Sequence, residues 1–384
     1  MKVLFLSAWY PHRYDAICGL FVRKHAQAVS CYAEVCVLYL YADETIRKFE
    51  VVEQNFEKIK EIYVYFPFIH NKLLVKISKT INYVRAFLKG YKIVKNGFGK
   101  PNITQVNVLT RSGVLAYYLK LKEKIPYTII EHWSRYFPQN KTYNGFLRKR
   151  VTEFVVRQAE VLTPVSNYLK NAMSDYNLTN KKTIIINNVV DDFFFENQKK
   201  EQRTKKQIAH ISSCDDKTKN ICGLLNATKL LSEKRVDFEL VMVVAGKDFE
   251  MSRNHCENLN FPKDMVKFIG EQIPQEVAKW LAKSDLFVMF SNYETFCIVV
   301  AESLASGVPV IGTPTGIVPD VIDETNGLIV DFNNTTALSE KMNFMLDNLT
   351  KYDAEKIRND VREKFSCESV GKELNKIYSE CIAK

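Results

Sequence analysis

No stretch of this chain approaches the roughly 18 consecutive apolar residues that mark a membrane-spanning helix. Its nine cysteines have no paired spacing and its six histidines are scattered, which excludes a disulfide framework and a Cys/His zinc site and points to reduced thiols. Asp-x-Asp, a common carboxylate pair for a divalent cation, occurs nowhere, so no metal ligand is assigned. Internal repeats and low-complexity tracts are absent. So are helix-turn-helix, zinc and RNP-type patterns, and nucleic acid is therefore not expected as a partner. Acidic residues are missing from residues 71–100, which hold eight Lys and Arg.

What is present describes a globular chain of two domains. At 384 residues it exceeds what one core usually supports, and 46% hydrophobic with 26% charged residues is ordinary globular composition. Met1-Lys2 leads straight into the strand-like Val3-Leu4-Phe5-Leu6, so a cytoplasmic chain without a secretory leader is expected. The net charge of +10 is uneven: residues 1–190 carry 29 basic against 13 acidic residues, while the remainder carries 25 against 31. The two halves therefore face different partners, the basic one suiting an anionic membrane surface or a diphosphate-bearing acceptor.

Short apolar runs alternate with helical stretches, which predicts α/β architecture with parallel sheets. Strands are expected at Lys2–Ser7, Glu34–Tyr41, Ile62–Tyr65, Asn102–Val108, Tyr127–Ile130, Val161–Val165 and Ile184–Ile186. After a charged, apolar-poor linker from Glu196 to Gln207 they resume at Ile208–Ser212, Glu239–Gly246, Val266–Ile269, Leu286–Phe290, Val308–Gly312 and Gly327–Val330. The division is 1–195, 207–366, and a final helical segment 367–384 expected against the first domain. Two doubly wound domains imply a ligand in a crevice outside the strand C-termini.

The densest signal is Ser291-Asn292-Tyr293-Glu294-Thr295-Phe296-Cys297, running on through Glu302 to Ala305-Ser306-Gly307-Val308-Pro309-Val310. A buried strand ends at Phe290, a loop follows, and helical spacing starts at Phe296 and stops at Gly307. Glu294 thus lies at a strand-to-helix crossing and Glu302 about two turns along the helix. The amides of residues 295–297, at a helix N-terminus, suit a phosphate, and the carboxylates suit sugar or ribose hydroxyls.

This segment resembles the signature of retaining glycosyltransferases of family 4, with the GT-B fold: Ser-x-x-Glu, a Phe flanked by glycines, a second Glu, then Ala-x-Gly-x-Pro-Val. Thr315-Gly316-Ile317-Val318-Pro319-Asp320 resembles the family's Gly-Gly-Ile-Pro-Glu loop, and Asn326-Gly327-Leu328-Ile329-Val330 its Thr-Gly-Leu-Leu-Val strand. The resemblance implies an α/β GT-B fold of two Rossmann-like doubly wound domains facing a cleft. It also implies sugar transfer with retention, no metal and no cofactor, the nucleotide-sugar being a substrate.

By the same resemblance Glu294 contacts the donor sugar, Glu302 the ribose, and Lys219 the diphosphate, with Lys217 its competitor on the same loop. Ser212 or Ser213 stands where the family has a phosphate-binding Arg, and Thr295 and Cys297 replace the glycines around Phe296. Cys297 is read as core-facing, not as a nucleophile. His132, in Glu131-His132-Trp133-Ser134, corresponds to a histidine beside the reacting carbon. Gly19 corresponds to a glycine turn near diphosphate and acceptor. Asn188-Val189-Val190-Asp191 resembles a structural element.

In residues 71–100, Leu73, Leu74, Ile77, Ile81, Val84, Leu88 and Tyr91 recur at helical spacing, predicting a basic amphipathic helix pair. That stripe either faces the core or meets an anionic membrane, a contact Lys141, Arg148, Lys149, Arg150 and Arg157 would extend. The expected function is transfer to an acceptor hydroxyl on a glycan or lipid-linked glycan in surface polysaccharide assembly, peripheral to the inner face of the plasma membrane. The alternatives are a GT-B nucleotide-sugar 2-epimerase and a non-catalytic nucleotide-sugar-binding protein.

Overall fold

A computed structural model describes residues 1–69, 71, 74–109, 111–196 and 203–383. Leu73 and Lys72 of the apolar, basic stretch, and half of the charged linker (197–202), lie outside them. Among the described residues the strands form two sheets. The chain divides into unit one (Met1–Val165, Leu169–Val189, Cys367–Lys384) and unit two (Ser166–Tyr168, Val190–Ser366).

Unit one is built on β1 (Lys2–Ser7), β2 (Glu34–Ala42), β3 (Glu50–Phe56), β4 (Ile59–Phe66), β5 (Ile103–Asn107), β6 (Tyr127–Glu131) and β7 (Val161–Pro164). Their order is β3-β4-β2-β1-β5-β6-β7, parallel except for β3 against β4. Val3–Leu6 and Ile129–Ile130 are almost fully buried, the continuous apolar pattern of strands covered on both faces. Helix α1 (Leu20–Ser30) follows β1, α2 (Val75–Gly97) precedes β5, α3 (Arg111–Glu123) joins β5 to β6, and α4 (Phe146–Gln158) precedes β7. The C-terminal helix Cys367–Ile382 packs on α1 and is pinned by Tyr378 Oη donating to Gln105 Oε1 at 2.8 Å.

Three expectations change here. Residues 75–97 form one continuous helix, not a pair, because no Pro or capping signal interrupts them. Tyr91 leaves the apolar stripe and is buried with Phe87 and Val94, whereas Leu74, Ile77, Ile81, Val84 and Leu88 are 44–58% exposed. Ile184–Ile186 is not a strand: its amides reach Leu162 and Pro164 beside β7, but only Thr183 makes a bridge.

Unit two is built on β8 (Lys206–Ser213), β9 (Phe238–Ala245), β10 (Val266–Phe268), β11 (Leu286–Met289), β12 (Val310–Gly312) and β13 (Gly327–Ile329), all parallel in the order β10-β9-β8-β11-β12-β13. Its core joins Ile208, Leu240, Met242, Leu286, Val288 and Phe290 to Leu224, Leu231, Leu338 and Met342 from helices. Burial of each such side chain contributes about 1.5–3 kcal/mol. Strands are added outward in one direction from β8 and in the other from β11, so the loops leaving these two parallel neighbours open side by side at their C-terminal ends.

Candidate active site

In unit two the β8 loop carries Lys219 and the β11 loop carries Glu294. Lys219 Nζ donates to Glu294 Oε1, and Ser291 Oγ donates to the same oxygen at 3.0 Å. Both side chains are largely buried, at 16% and 11% exposure. Burial alone would depress the lysine's pKa, but the Glu294 carboxylate outweighs it and holds the ammonium above its usual value. Lys217 is exposed; only its carbonyl is used, accepting from Asn292 Nδ2 at 3.0 Å.

The Glu294 loop is templated by its neighbour, residues 313–317. Thr313 Oγ1 donates to Ser291 O (2.6 Å), Glu294 N to Thr315 Oγ1 (2.7 Å), and Ile317 N to Phe296 O (2.9 Å). Gly316 has φ +59°, and a Cβ there would sit 2.4 Å from Phe296 O, so only glycine lets the two loops close. Thr295 O accepts from Ser166 Oγ, and Asn167 holds Asp320 through its backbone and side-chain nitrogens.

The helix begins at Ile298, later than the spacing suggests, because Cys297 takes a left-handed conformation (φ +68°) as its cap. Phe296 is buried edge-on against Phe365. Burial, reinforced by Glu294, pushes the Cys297 thiol well above its usual pKa, so it stays protonated. Glu302 lies on Ile298–Ala305 at 8% exposure. Ser213 ends β8 exposed, and Ser212 Oγ pairs with His210 Nε2 at 2.8 Å. Among the described residues no group of three His, Cys, Asp or Glu could hold a metal ion.

In unit one, His132 follows β6. Its ring lies tilted against Phe21 (centroids 4.2 Å) near His25 (5.5 Å), and neither ring nitrogen has a hydrogen-bond partner. Burial, aided by His25, pushes its pKa well below the usual value, so the imidazole is neutral. Gly19 opens α1 with φ +61°, and a Cβ there would lie 2.4 Å from Trp9 O. The close approach it permits is thus to the chain's own backbone.

Two residues without a sequence signal join His132. Asn107, ending β5, has both amide atoms buried and unpartnered. Arg135, three residues beyond His132, is 6% exposed, with Nε and Nη1 unpartnered. Directly before His132, Glu131 is fully buried, yet it accepts from the amides of Leu109, His132 and Trp133 and from Tyr136 Oη.

Residues 192–364 match the family model described as glycosyl transferases group 1. The chain is 31% identical over 241 residues to an N-acetyl-alpha-D-glucosaminyl L-malate synthase of Bacillus anthracis, covering 60% of this chain and 62% of that relative. Among solved structures, sucrose-phosphate synthase of Thermosynechococcus elongatus superposes with a TM-score of 0.73 at 17% identity over the full length of both chains. An Anabaena protein solved with UDP superposes at 0.72 and 16% identity, covering 99% of this chain and all of that one. Both likenesses are of fold. With its two α/β units, the chain has the GT-B fold, and its second unit carries the similarity to the group 1 glycosyltransferases.

Proposed function

We propose that this protein is a retaining glycosyltransferase that moves a hexosyl or related unit from a nucleotide-sugar to an acceptor hydroxyl, needing neither a metal ion nor a cofactor. The observation that carries the reading is the meeting of Lys219 with Glu294, on a unit that also buries Glu302, by loops 75 residues apart in sequence. The lysine's charge is balanced by the carboxylate. A donor diphosphate exchanges that partner for phosphate oxygens and frees Glu294 to accept hydrogen bonds from sugar hydroxyls. Glu302 accepts from the ribose. As the glycosidic bond breaks, charge grows on the leaving diphosphate, and Lys219 stabilises it more than in the ground state. Thr295, Phe296, Cys297, Ser212 and Ser213 shape the donor site, and neutral His132 stands beside the reacting carbon.

The acceptor is a lipid-linked glycan, as in surface polysaccharide assembly. Support comes from α2, where Leu74, Ile77, Ile81, Val84 and Leu88 form an exposed stripe flanked by exposed Arg85, Lys89 and Lys92. Such a face suits an anionic leaflet, each basic residue contributing about 1 kcal/mol. No helix among the described residues is long and apolar enough to cross a membrane. Thermal-shift screening of nucleotide-sugars tests the donor reading: a true donor at about 100 times its Kd adds about 2.7 kcal/mol, and the gain should shrink in Glu302→Ala. If no nucleotide-sugar stabilises the protein, the reading fails.

A further inference from the structure

In unit one, unspent hydrogen-bonding atoms gather at one place. The described residues with buried, unpartnered side-chain nitrogen or oxygen include Asn107, His132 and Arg135, with two such atoms each. Asn107 ends β5 opposite Ile130 in the β5–β6 register, and His132 and Arg135 follow directly from β6. His25, Thr104, Tyr143 and Asn188 of the same unit leave one such atom each, whereas the neighbouring Glu131 is matched by four donors.

Arg135 is the anomaly among them. A guanidinium almost wholly out of water is strongly unfavourable unless an anion meets it. Among the described residues no carboxylate meets its Nε or Nη1, and the nearest in sequence, Glu131, is committed to its own donors. The guanidinium stacks on Trp133, 3.3 Å from the ring centroid, with Tyr143 at 5.7 Å, so its orientation is set before any anion arrives. Burial disfavours the guanidinium's charge and Arg148 adds to that, against a partial offset from Glu131, and Lys149 Nζ lies 5.8 Å from the Tyr143 ring. A planar fork held on an aromatic face, with donors unspent and further cations near, fits a carboxylate or a phosphate.

We propose that Arg135 anchors an oxyanion, the phosphate or carboxylate of the acceptor, and so positions the acceptor beside His132. Only the word acceptor rests on the transfer reading; the anion site rests on Arg135 itself. The test is calorimetric titration of the full chain, with and without saturating nucleoside diphosphate, using glycerol phosphate, malate and glycerol as probes. The expected result is binding of at least one oxyanion but not glycerol, weakened at least tenfold in Arg135→Gln, partly kept in Arg135→Lys and unchanged in Arg253→Gln, an exposed arginine of unit two. Phosphatidic acid vesicles form a second arm: a loss confined to vesicles assigns the phosphate to a lipid headgroup, and a loss with soluble probes assigns it to a free acceptor. Arg135→Gln should also melt no lower than wild type, since it removes an unpaired buried charge. Equal oxyanion affinity in Arg135→Gln and wild type in both arms would overturn the proposal. So would a fall of several degrees in melting temperature, which would make Arg135 a structural pillar. Failure of the donor reading would show separately, as absent nucleotide binding.

Discussion

Removing Lys219 should destabilise the protein as well as slow sugar transfer, because the lysine is paired with Glu294 in a largely buried site. Lys219→Ala leaves the Glu294 carboxylate with Ser291 Oγ, at 3.0 Å, as its side-chain donor. Deleting one partner of a buried pair costs about 3–5 kcal/mol. Taking the lower figure, since both groups keep some exposure, the melting temperature should fall by about 6–12 °C for a unit of this size. Glu294→Gln alone should also destabilise, by stranding the ammonium. In the double variant neither charge is stranded, so the cycle should return a coupling of about 2–3 kcal/mol. The assay is thermal and urea unfolding of the four proteins without nucleotide. A coupling below about 0.5 kcal/mol would refute the reasoning. The functional half follows from the same contact: Lys219→Ala should lower turnover by about 10²–10³, donor affinity falling less, while Lys217→Ala changes little.

Glu302→Ala should weaken nucleoside diphosphate binding by about 1.5–3 kcal/mol in calorimetry, the scale of a hydrogen bond to a charged group; unchanged affinity in a folded variant would remove Glu302 from the ribose site. Burial lowers the pKa of His25 and of His210 to about 4, below the value near 6.5 of an unfolded chain, so the unfolded state binds more protons between those limits. Stability should therefore be full above about pH 6.5 and fall toward pH 4, each histidine costing up to about 2 kcal/mol by pH 5; urea unfolding of His210→Gln should show a shallower pH slope, and an identical slope would contradict this. Binding to anionic vesicles should weaken as salt rises from about 0.05 to 0.5 M and be lost when Lys76, Lys79, Arg85 and Lys89 become Ser; replacing Ile77, Ile81 and Leu88 by Ser should weaken it independently. No binding at low salt would leave α2 a merely solvated surface. Activity should survive EDTA, and loss restored by manganese or magnesium would contradict metal independence.

Much of the architecture was legible because buried parallel strands write themselves as continuous apolar runs, as in Leu286–Phe290 and Val3–Leu6. Strand β3 was not: its residues Glu53, Gln54 and Asn55 are exposed on the sheet edge, and neither apolar alternation nor a Gly or Asn turn marks it. The Glu294 and Lys219 loops could each be found by motif, but their contact depends on β8 and β11 being neighbours, a property of strand order rather than of local sequence. The exposure of the α2 stripe was equally hidden, since helical spacing reads the same whether its apolar face meets a core or water. Arg135 and Asn107 carried no signal because nothing in a residue's identity says that its buried donors go unmatched. The one available hint was that Arg135 closely follows His132.

Sugar transfer itself is tested most directly by incubating the protein with the nucleotide-sugar that stabilises it and following free nucleoside diphosphate with and without a lipid-linked glycan acceptor. The account predicts nucleotide release that depends on acceptor, matched by glycosylated product, and abolished together with that product in Glu294→Gln. Release independent of acceptor, or conversion of the donor sugar without product, would contradict it.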